Sequence, residues 1–336
     1  VIPMLVSIVI STLYKRPREF RECLESIISQ TFPPIEVIII NGSFDGSWER
    51  VRHEFEGIFK KMKNKGIVVK HISVPGASLP HARNIGVKSS KGDIVLFLDD
   101  DVVLEDDYLK KLVEVYETYP TAMGVQGFIT NRINMHNPLI RFKFLKFLWW
   151  LLQRGYYEVD LHKQLPSFFE ILPYKVTKVI NRESFSGTNM SYRKEIFEHM
   201  EFDERLKRYA IGEDKDFSYR VHKIFPNSLY QTPHARLIHQ EAPAGRLPSK
   251  QFETMKQVYH LYLFYKLFEQ NPRNKTSYIL GRIGDLMLHS ILFVTSGFKK
   301  EKALKIVYML EAMWLALANR NRIKKGDINF WMNRGS

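Results

Sequence analysis

The chain has 336 residues, 45% of them hydrophobic, and a formal net charge of +14. That apolar content suffices to bury one large core, or a core with an appended subdomain, and excludes disorder as the default state. The charge fits an anionic partner (nucleic acid, anionic lipid or a phosphorylated substrate) without choosing among them, and a lone cysteine, Cys23, excludes an intramolecular disulfide framework and a multi-cysteine zinc site.

The first part alternates short β-branched runs with helical patterns, which predicts parallel strands joined by helical crossovers. Val6 to Ser11 reads as the first strand, because Val1 to Ile10 is apolar but has no basic leader or cleavage pattern. Pro17 marks a helix start, with Phe20, Leu24, Ile27 and Ile28 at helical spacing. Glu36 to Ile40 is the second strand, a helix runs from Ser47 to Lys63, and Ile67 to Ile72 is the third strand. A helix over Leu79 to Ser89 then leads through a Lys91-Gly-Asp turn into Ile94 to Leu98, a continuous apolar run typical of a buried parallel strand.

That strand stops at Asp99-Asp100-Asp101. Open parallel sheets bind ligands at the carboxyl ends of their strands, so three acids there point to a ligand site rather than to solubility. On an extended tail Asp99 and Asp101 face the same way, an arrangement suited to Mg2+ or Mn2+, which take carboxylate oxygens and keep positions open for substrate phosphates. Glu105, Asp106 and Asp107 read instead as acids stabilised at the start of the helix from Tyr108 to Tyr116. No Gly-x-Gly-x-x-Gly follows the first strand and no Walker-type loop is present, which removes support for dehydrogenase and phosphate-loop readings. The polar, basic Ser11-Thr-Leu-Tyr-Lys-Arg can face a base and diphosphate through backbone groups and Arg16.

After a strand over Met123 to Thr130, the stretch Leu139-Ile-Arg-Phe-Lys-Phe-Leu-Lys-Phe-Leu-Trp-Trp-Leu-Leu combines cations and aromatics with no acid, and reads as an interfacial segment within a basic aromatic insertion over 136–175. A turn at Gly187, a helix near Arg193 to His199 and the acidic run Gly212-Glu-Asp-Lys-Asp-Phe follow. Beyond Phe252 the chain reads as helices rich in Tyr, Leu, Phe, Lys and Arg, with a boundary near Ala242 to Pro248, so that 1–245 forms the catalytic domain and 246–336 a helical, membrane-associated region. No segment reaches the roughly 18 uncharged apolar residues of a spanning helix. Peripheral membrane contact is expected, with cytoplasmic location at the inner face of the cell membrane; the opposing reading is an ordinary helical bundle with solvated lysines.

Taken in order and spacing, these motifs resemble family 2 glycosyltransferases, inverting enzymes of the A-type (GT-A) fold. Val6-Ser-Ile-Val-Ile-Ser-Thr looks like the family's opening strand and nucleotide loop, and Ser26-Ile-Ile-Ser-Gln-Thr-Phe is similar to its first-helix ending. Ala82-Arg-Asn-Ile-Gly followed by Gly92-Asp-Ile-Val-Leu-Phe-Leu-Asp-Asp-Asp matches the approach to its Asp-x-Asp motif, while Gly187-Thr-Asn-Met, Phe202-Asp203 and Gly212-Glu-Asp-Lys-Asp-Phe resemble its acceptor-side segments.

The resemblance implies an α/β, Rossmann-like, mostly parallel sheet flanked by helices, with a C-terminal helical subdomain. It implies Thr12, Arg83 and Asp100 on the nucleotide, with Arg16 and Asn41 beside them, and Mn2+ or Mg2+ on Asp101 with Asp99 in support. The catalytic base falls on Asp214, and His239 lies where many relatives place a metal or phosphate ligand. Thr188, Asn189 and Glu213 are candidates for acceptor or diphosphate contact, against a bland reading of Thr188 and Asn189 as a turn and of Glu213, Asp214 and Asp216 as solvated acids at a helix start. One departure is Ile40-Asn41-Gly42-Ser43, where the family commonly has Asp-Asp-Gly-Ser; an amide donates as well as accepts, which makes uridine less secure as the base. The implied donor is a nucleotide-diphosphate sugar, UDP-linked or else GDP-mannose. The implied acceptor is a hydroxyl or phosphate on a lipid-linked glycan or polyprenyl phosphate.

Two rivals stand beside this. A non-catalytic nucleic-acid-binding protein fits the charge, but phosphate backbones avoid clustered carboxylates unless a metal intervenes, so nucleic acid is not the expected partner. A nucleotide-binding protein that keeps the fold without turnover is the other.

Overall fold

The computed structural model describes residues 4–44, 48–131, 163–168, 176–242 and 247–332. The aromatic segment at 139–152, and the 136–175 insertion apart from 163–168, lie outside the described residues. Two compact units are present: 1–134, 174–204 and 213–246 form the first, and 135–173, 205–212 and 247–336 the second.

In the first unit β1 (Val6–Thr12), α1 (Pro17–Ile28), β2 (Glu36–Asn41), α2 (Trp48–Asn64), β3 (Val68–Ser73), α3 (Leu79–Ser89) and β4 (Ile94–Leu98) alternate as the sequence predicts. Next come β5 (Val102–Leu104), α4 (Tyr108–Thr118), β6 (Gly124–Ile129), β7 (Ile180–Asn181) and β8 (Asn189–Arg193). A 3-10 turn at Lys194–Glu198, α5 (Glu213–Ile224) and β9 (Leu229–His239) complete it. Among the described residues nine strands make one sheet in the order β3-β2-β1-β4-β8-β6-β9-β5, with β7 on β9.

The β3-β2-β1-β4 half is parallel, whereas β8 runs antiparallel to β4 and β6. The interiors of β2 and β4 are apolar and buried on both faces, whereas β3 at the edge is part-exposed and carries Lys70 and His71. Ile8, Ile10, Val37, Ile39, Ile94, Leu96 and Leu98 join one core with Phe20, Cys23, Leu24 and Ile27 of α1 and Phe55 and Met62 of α2. The alternate residues Val9, Ile38, Ile40, Val95 and Phe97 join another with Ala82 and Val87 of α3 and Phe217 and Val221 of α5. Cys23 is a buried free thiol in the first of these. α3 comes so close to β1 that a Cβ on Gly86 would meet Val9 Cγ1 at 2.3 Å, and this approach fixes the helix carrying Arg83 and Asn84.

The far end of the sheet is held by a buried carboxylate. Glu36 accepts from Ser7 Oγ at 2.7 Å and from the Lys91 N–H at 2.5 Å, and pairs with Lys70 Nζ at 2.5 Å. Burial works against the charged form, but Lys70, Ser7 and the Lys91 N–H outweigh it and hold the carboxyl below its ordinary 4.5. A depressed folded pKa stabilises above the unfolded value, and the contribution is lost as pH falls through the folded one. Urea titrations of Glu36→Gln against wild type from neutral pH down to acid are therefore expected to show a stability gap that closes on acidification. A gap independent of pH would remove the ionic account.

The second unit contains α6 (Ser249–Leu267), α7 (Pro272–Thr295), α8 (Lys300–Ala318) and α9 (Arg320–Lys324). A polar seam joins α6 to α7: Arg282 donates to His260 Nδ1 (3.0 Å), Gln257 Oε1 (3.4 Å) and the Ser167 carbonyl (2.6 Å), and Lys256 Nζ pairs with Asp285 at 2.6 Å. α7 is long and apolar enough, by length and composition, to cross a membrane, but Arg282 and Asp285 interrupt it, so it is not a run of about 18 uncharged apolar residues.

Candidate active site

Strand register assembles the site at the carboxyl ends of β1, β2 and β4. Thr12 is the partner of Asn41, while Ile10 pairs with Leu98, so Thr12 and Asp100 leave the sheet side by side. Thr12 Oγ1 donates to Asp100 Oδ2 at 2.6 Å. Arg16, at the start of α1, brings NH1 to 2.6 Å from Asp101 Oδ2 and 3.3 Å from Asp100 Oδ1. Burial, with Asp101 and Asp99 nearby, pushes the Asp100 carboxyl up to about 6 against the opposing pull of Thr12 and Arg16. Asn41 is buried, and its Oδ1 accepts from both the Ser43 N–H (2.9 Å) and Ser43 Oγ (2.6 Å), which orients the amide by the turn that follows β2.

The chain re-enters the sheet immediately after the acids. β5 pairs antiparallel with β9, Val102 opposite His239, and this register carries the histidine to the acids. His239 Nε2 lies 3.2 Å from Asp101 Oδ1 and 3.9 Å from Asp99 Oδ2, and donor atoms of Asp99, Asp101 and His239 all fall within 4.8 Å of one another. The far oxygen of Asp101 is occupied by Arg16 and by the Ala242 N–H at 3.1 Å, and the Gln240 N–H donates to the Asp101 carbonyl at 2.9 Å. Burial would raise the Asp101 carboxyl, but His239, Arg16 and the Ala242 N–H together hold it below the usual range. Its Oδ1 is buried and accepts no hydrogen bond among the described residues. Two carboxylates and an imidazole around such an atom fit a divalent cation that keeps positions open for phosphate oxygens.

A second cluster adjoins the first through β8. Its register sets Asn189 against Leu98, so Thr188 falls beside Asp99, whose N–H donates to the Thr188 carbonyl at 3.1 Å. The preceding residue, Gly187, donates its N–H to Asp214 Oδ2 at 2.7 Å and accepts from Arg83 NH2 at 3.0 Å. Asp214 Oδ1 accepts from the Lys215 N–H at 2.8 Å, and its neighbour Glu213 accepts from Arg83 NH1. Arg83 is buried between the rings of Phe97 and Phe202, at 5.7 and 5.6 Å from their centroids. Burial works against its charge, but Glu213, Asp99 and Asp214 outweigh that and hold the guanidinium above its ordinary pKa.

Some placements differ from the expectations. Asp216 is no solvated acid: it is buried and paired with Arg220 at 2.9 Å. Glu213 is likewise buried, because its α5 face packs on the sheet. Asn189 opens a strand instead of ending a turn, and its amide is held inside the sheet by Gln126 (3.1 Å) and Tyr108 (3.3 Å). Thr188 is buried too. Sequence reasoning missed Gly187, whose N–H and carbonyl join Asp214 to Arg83, and the Ala242 N–H. The glycine had a signal in its place before Thr188-Asn189, whereas a backbone donor has none.

The pattern of glycosyl transferase family 2 matches residues 7–201, more than half of the chain. The chain belongs to that family. Among its relatives, a glucosyl-dolichyl phosphate glucuronosyltransferase from Haloferax volcanii is 32% identical over 125 residues, 37% of this chain and 38% of the relative. Glycosyltransferase GlyA from Streptococcus pneumoniae is 27% identical over 223 residues, 66% and 29% respectively. The match therefore spans well under half the length of either relative. In fold, the chain is similar to a Pyrobaculum calidifontis mannosyltransferase solved with GDP-Man and Mn2+, at a TM-score of 0.56 and 15% identity over 94% of this chain and 87% of that one. It is also similar to GalNAc-T7 solved with UDP, GalNAc and Mn2+, at 0.52 and 15% over 88% and 58%. The family 2 chain thus has the GT-A fold, with helices following its C-terminal strand.

Proposed function

We propose that this protein is a metal-dependent inverting glycosyltransferase, moving a hexose from a nucleotide-diphosphate sugar to a hydroxyl or phosphate acceptor carried on lipid. The observation that carries the proposal is the convergence of Asp99, Asp101 and His239 at the carboxyl edge of the sheet, with Asp214 tied to the same edge through Gly187 and Thr188. Asp99, Asp101 and His239 would hold Mn2+ or Mg2+, which when bound acts as a Lewis acid toward diphosphate oxygens.

The remaining roles belong to the chain itself. Thr12, Asp100 and Arg16 form one polar edge for the nucleoside, with Asn41 at the end of the neighbouring strand. Arg83 adds a buried cation for the leaving diphosphate. Asp214, anchored by two backbone N–H groups, takes the acceptor's hydroxyl proton as that oxygen attacks the anomeric carbon in line. Glu213 and Gly187 hold Arg83 and Asp214 in position, and Thr188 and Asn189 support that wall from β8.

A UDP-sugar is the favoured donor and GDP-mannose the second, Asn41 being the reason the base stays open. A lipid-linked acceptor is supported by the dolichyl-phosphate substrate in the name of the Haloferax relative and by the basic, apolar character of the C-terminal helices. Peripheral contact with the inner face of the cell membrane belongs to the same reading. Calorimetric titration of UDP, GDP and their sugar conjugates, with Mn2+ and with a chelator, tests it: one nucleotide is expected to bind only with metal. Failure of every nucleotide to bind would leave the fold without this function.

A further inference from the structure

The outer faces of α7 and α8 are built the wrong way round for water. On α8, Leu304, Val307, Leu310, Trp314 and Leu317 recur at helical spacing and are exposed, with Trp314 71% accessible, while the small Ala312 and Ala316 face inward with Met309. On α7, Ile279, Ile283 and Val294 are exposed. The turn between the helices presents Phe298, 66% accessible, at positive φ after Gly297, and exposed Lys299 and Lys300 follow it. Exposed Lys324 and Lys325 lie beyond the other end of α8. Glu311, the one acid within the α8 stripe, is neutralised by Lys250 at 2.8 Å.

We infer that this α7–α8 hairpin docks on an anionic lipid surface, with Phe298 and Trp314 entering the acyl boundary and the lysines at the headgroups. Charge decides the occupant. Protein–protein interfaces are depleted in lysine, and a second copy would bring like charges together, whereas an anionic bilayer satisfies lysines and rings in one layer. The buried Arg282 and Asp285 of α7 are bound to α6 through His260, Gln257 and Lys256, which keeps α7 with its neighbour and against the surface instead of across it. The inference rests on the lipid-linked acceptor for its purpose and on the exposed face for its geometry.

The test is co-sedimentation of the full chain with phosphatidylcholine vesicles and with vesicles containing about 30 mol% phosphatidylglycerol, for wild type and for Phe298→Glu/Trp314→Glu. Wild type is expected to bind the anionic vesicles about ten-fold or more better than the neutral ones, with release in high salt. The double variant should lose about ten-fold or more of that binding and keep its Mn2+-dependent nucleotide affinity. Undiminished vesicle binding by the variant overturns the inference. So does resistance of wild type to alkaline carbonate extraction, which marks a spanning helix, or a dimer that the variant dissociates without any vesicle binding. Nucleotide titration on the same samples separates the two readings: without nucleotide binding the glycosyltransferase proposal falls while the vesicle result stands.

Discussion

Asp214→Asn is expected to lower kcat by about 100- to 10,000-fold, the range for removing a positioned general base, and to leave nucleotide affinity within a few-fold. The expectation follows from the way the carboxylate is held. Its two oxygens each accept one backbone N–H, from Gly187 and Lys215, which fixes the orientation of the side chain. Asparagine retains one acceptor oxygen but cannot take a proton. Its amide nitrogen meets one of the two N–H donors, so a melting curve has to establish that the variant is folded. Comparing kcat with KM separates this role from a binding role, since loss of a group acting only in the transition state falls on kcat. A folded variant turning over within ten-fold of wild type would move the base elsewhere. Glu213 is a poor substitute, because it is buried against Arg83.

How much of this was legible in the sequence depended on the range of the interactions. The parallel half of the sheet was readable because its strands are short, mostly apolar and β-branched and its helices carry their own periodicity, as with Ile94 to Leu98 and the Phe20, Leu24, Ile27 face of α1. The alternation argument for the acids also matches the arrangement: Asp99 and Asp101 share one side with His239 while Asp100 turns to Thr12. What could not be read was non-local pairing. β5 has three residues, too few for a periodic signal, yet its register with β9 is what sets His239 beside Asp101 across more than a hundred positions. Likewise Gly187-Thr-Asn carries turn residues, and only antiparallel pairing with β4 makes Asn189 a buried strand residue. The acids of α5 look alike in sequence, but the helix face divides them: Asp216 is buried and pairs with Arg220, Glu213 meets Arg83, and Asp214 is left between, half-buried.

The metal reading has its sharpest test at Asp101. Simple truncation to alanine is expected to abolish measurable Mn2+-dependent nucleotide binding. It also removes the carboxylate that pairs with Arg16 and accepts from the Ala242 N–H, so a loss there mixes coordination with local collapse. Asp101→Asn separates the two, since its carbonyl oxygen can still accept from Ala242 while the charge is gone. Even groups outside a metal's ligand set change affinity by about 10- to 100-fold when altered, so removing a ligand's charge should weaken Mn2+ by at least that much. His239→Gln should fall between wild type and Asp101→Asn, because Asp99 and Asp101 would remain as oxygen donors. The measurement is Mn2+ titration by calorimetry at saturating nucleotide, on samples with matched melting temperatures. Arg16 gives the result a second edge: with Asp101 neutral, its guanidinium keeps its pairing with Asp100, 3.3 Å away, so metal-free nucleotide binding should change little. If Asp101→Asn takes up Mn2+ as wild type does, the acids at the end of β4 serve the nucleotide and Arg16 alone, and the leaving diphosphate must find its charge at Arg83.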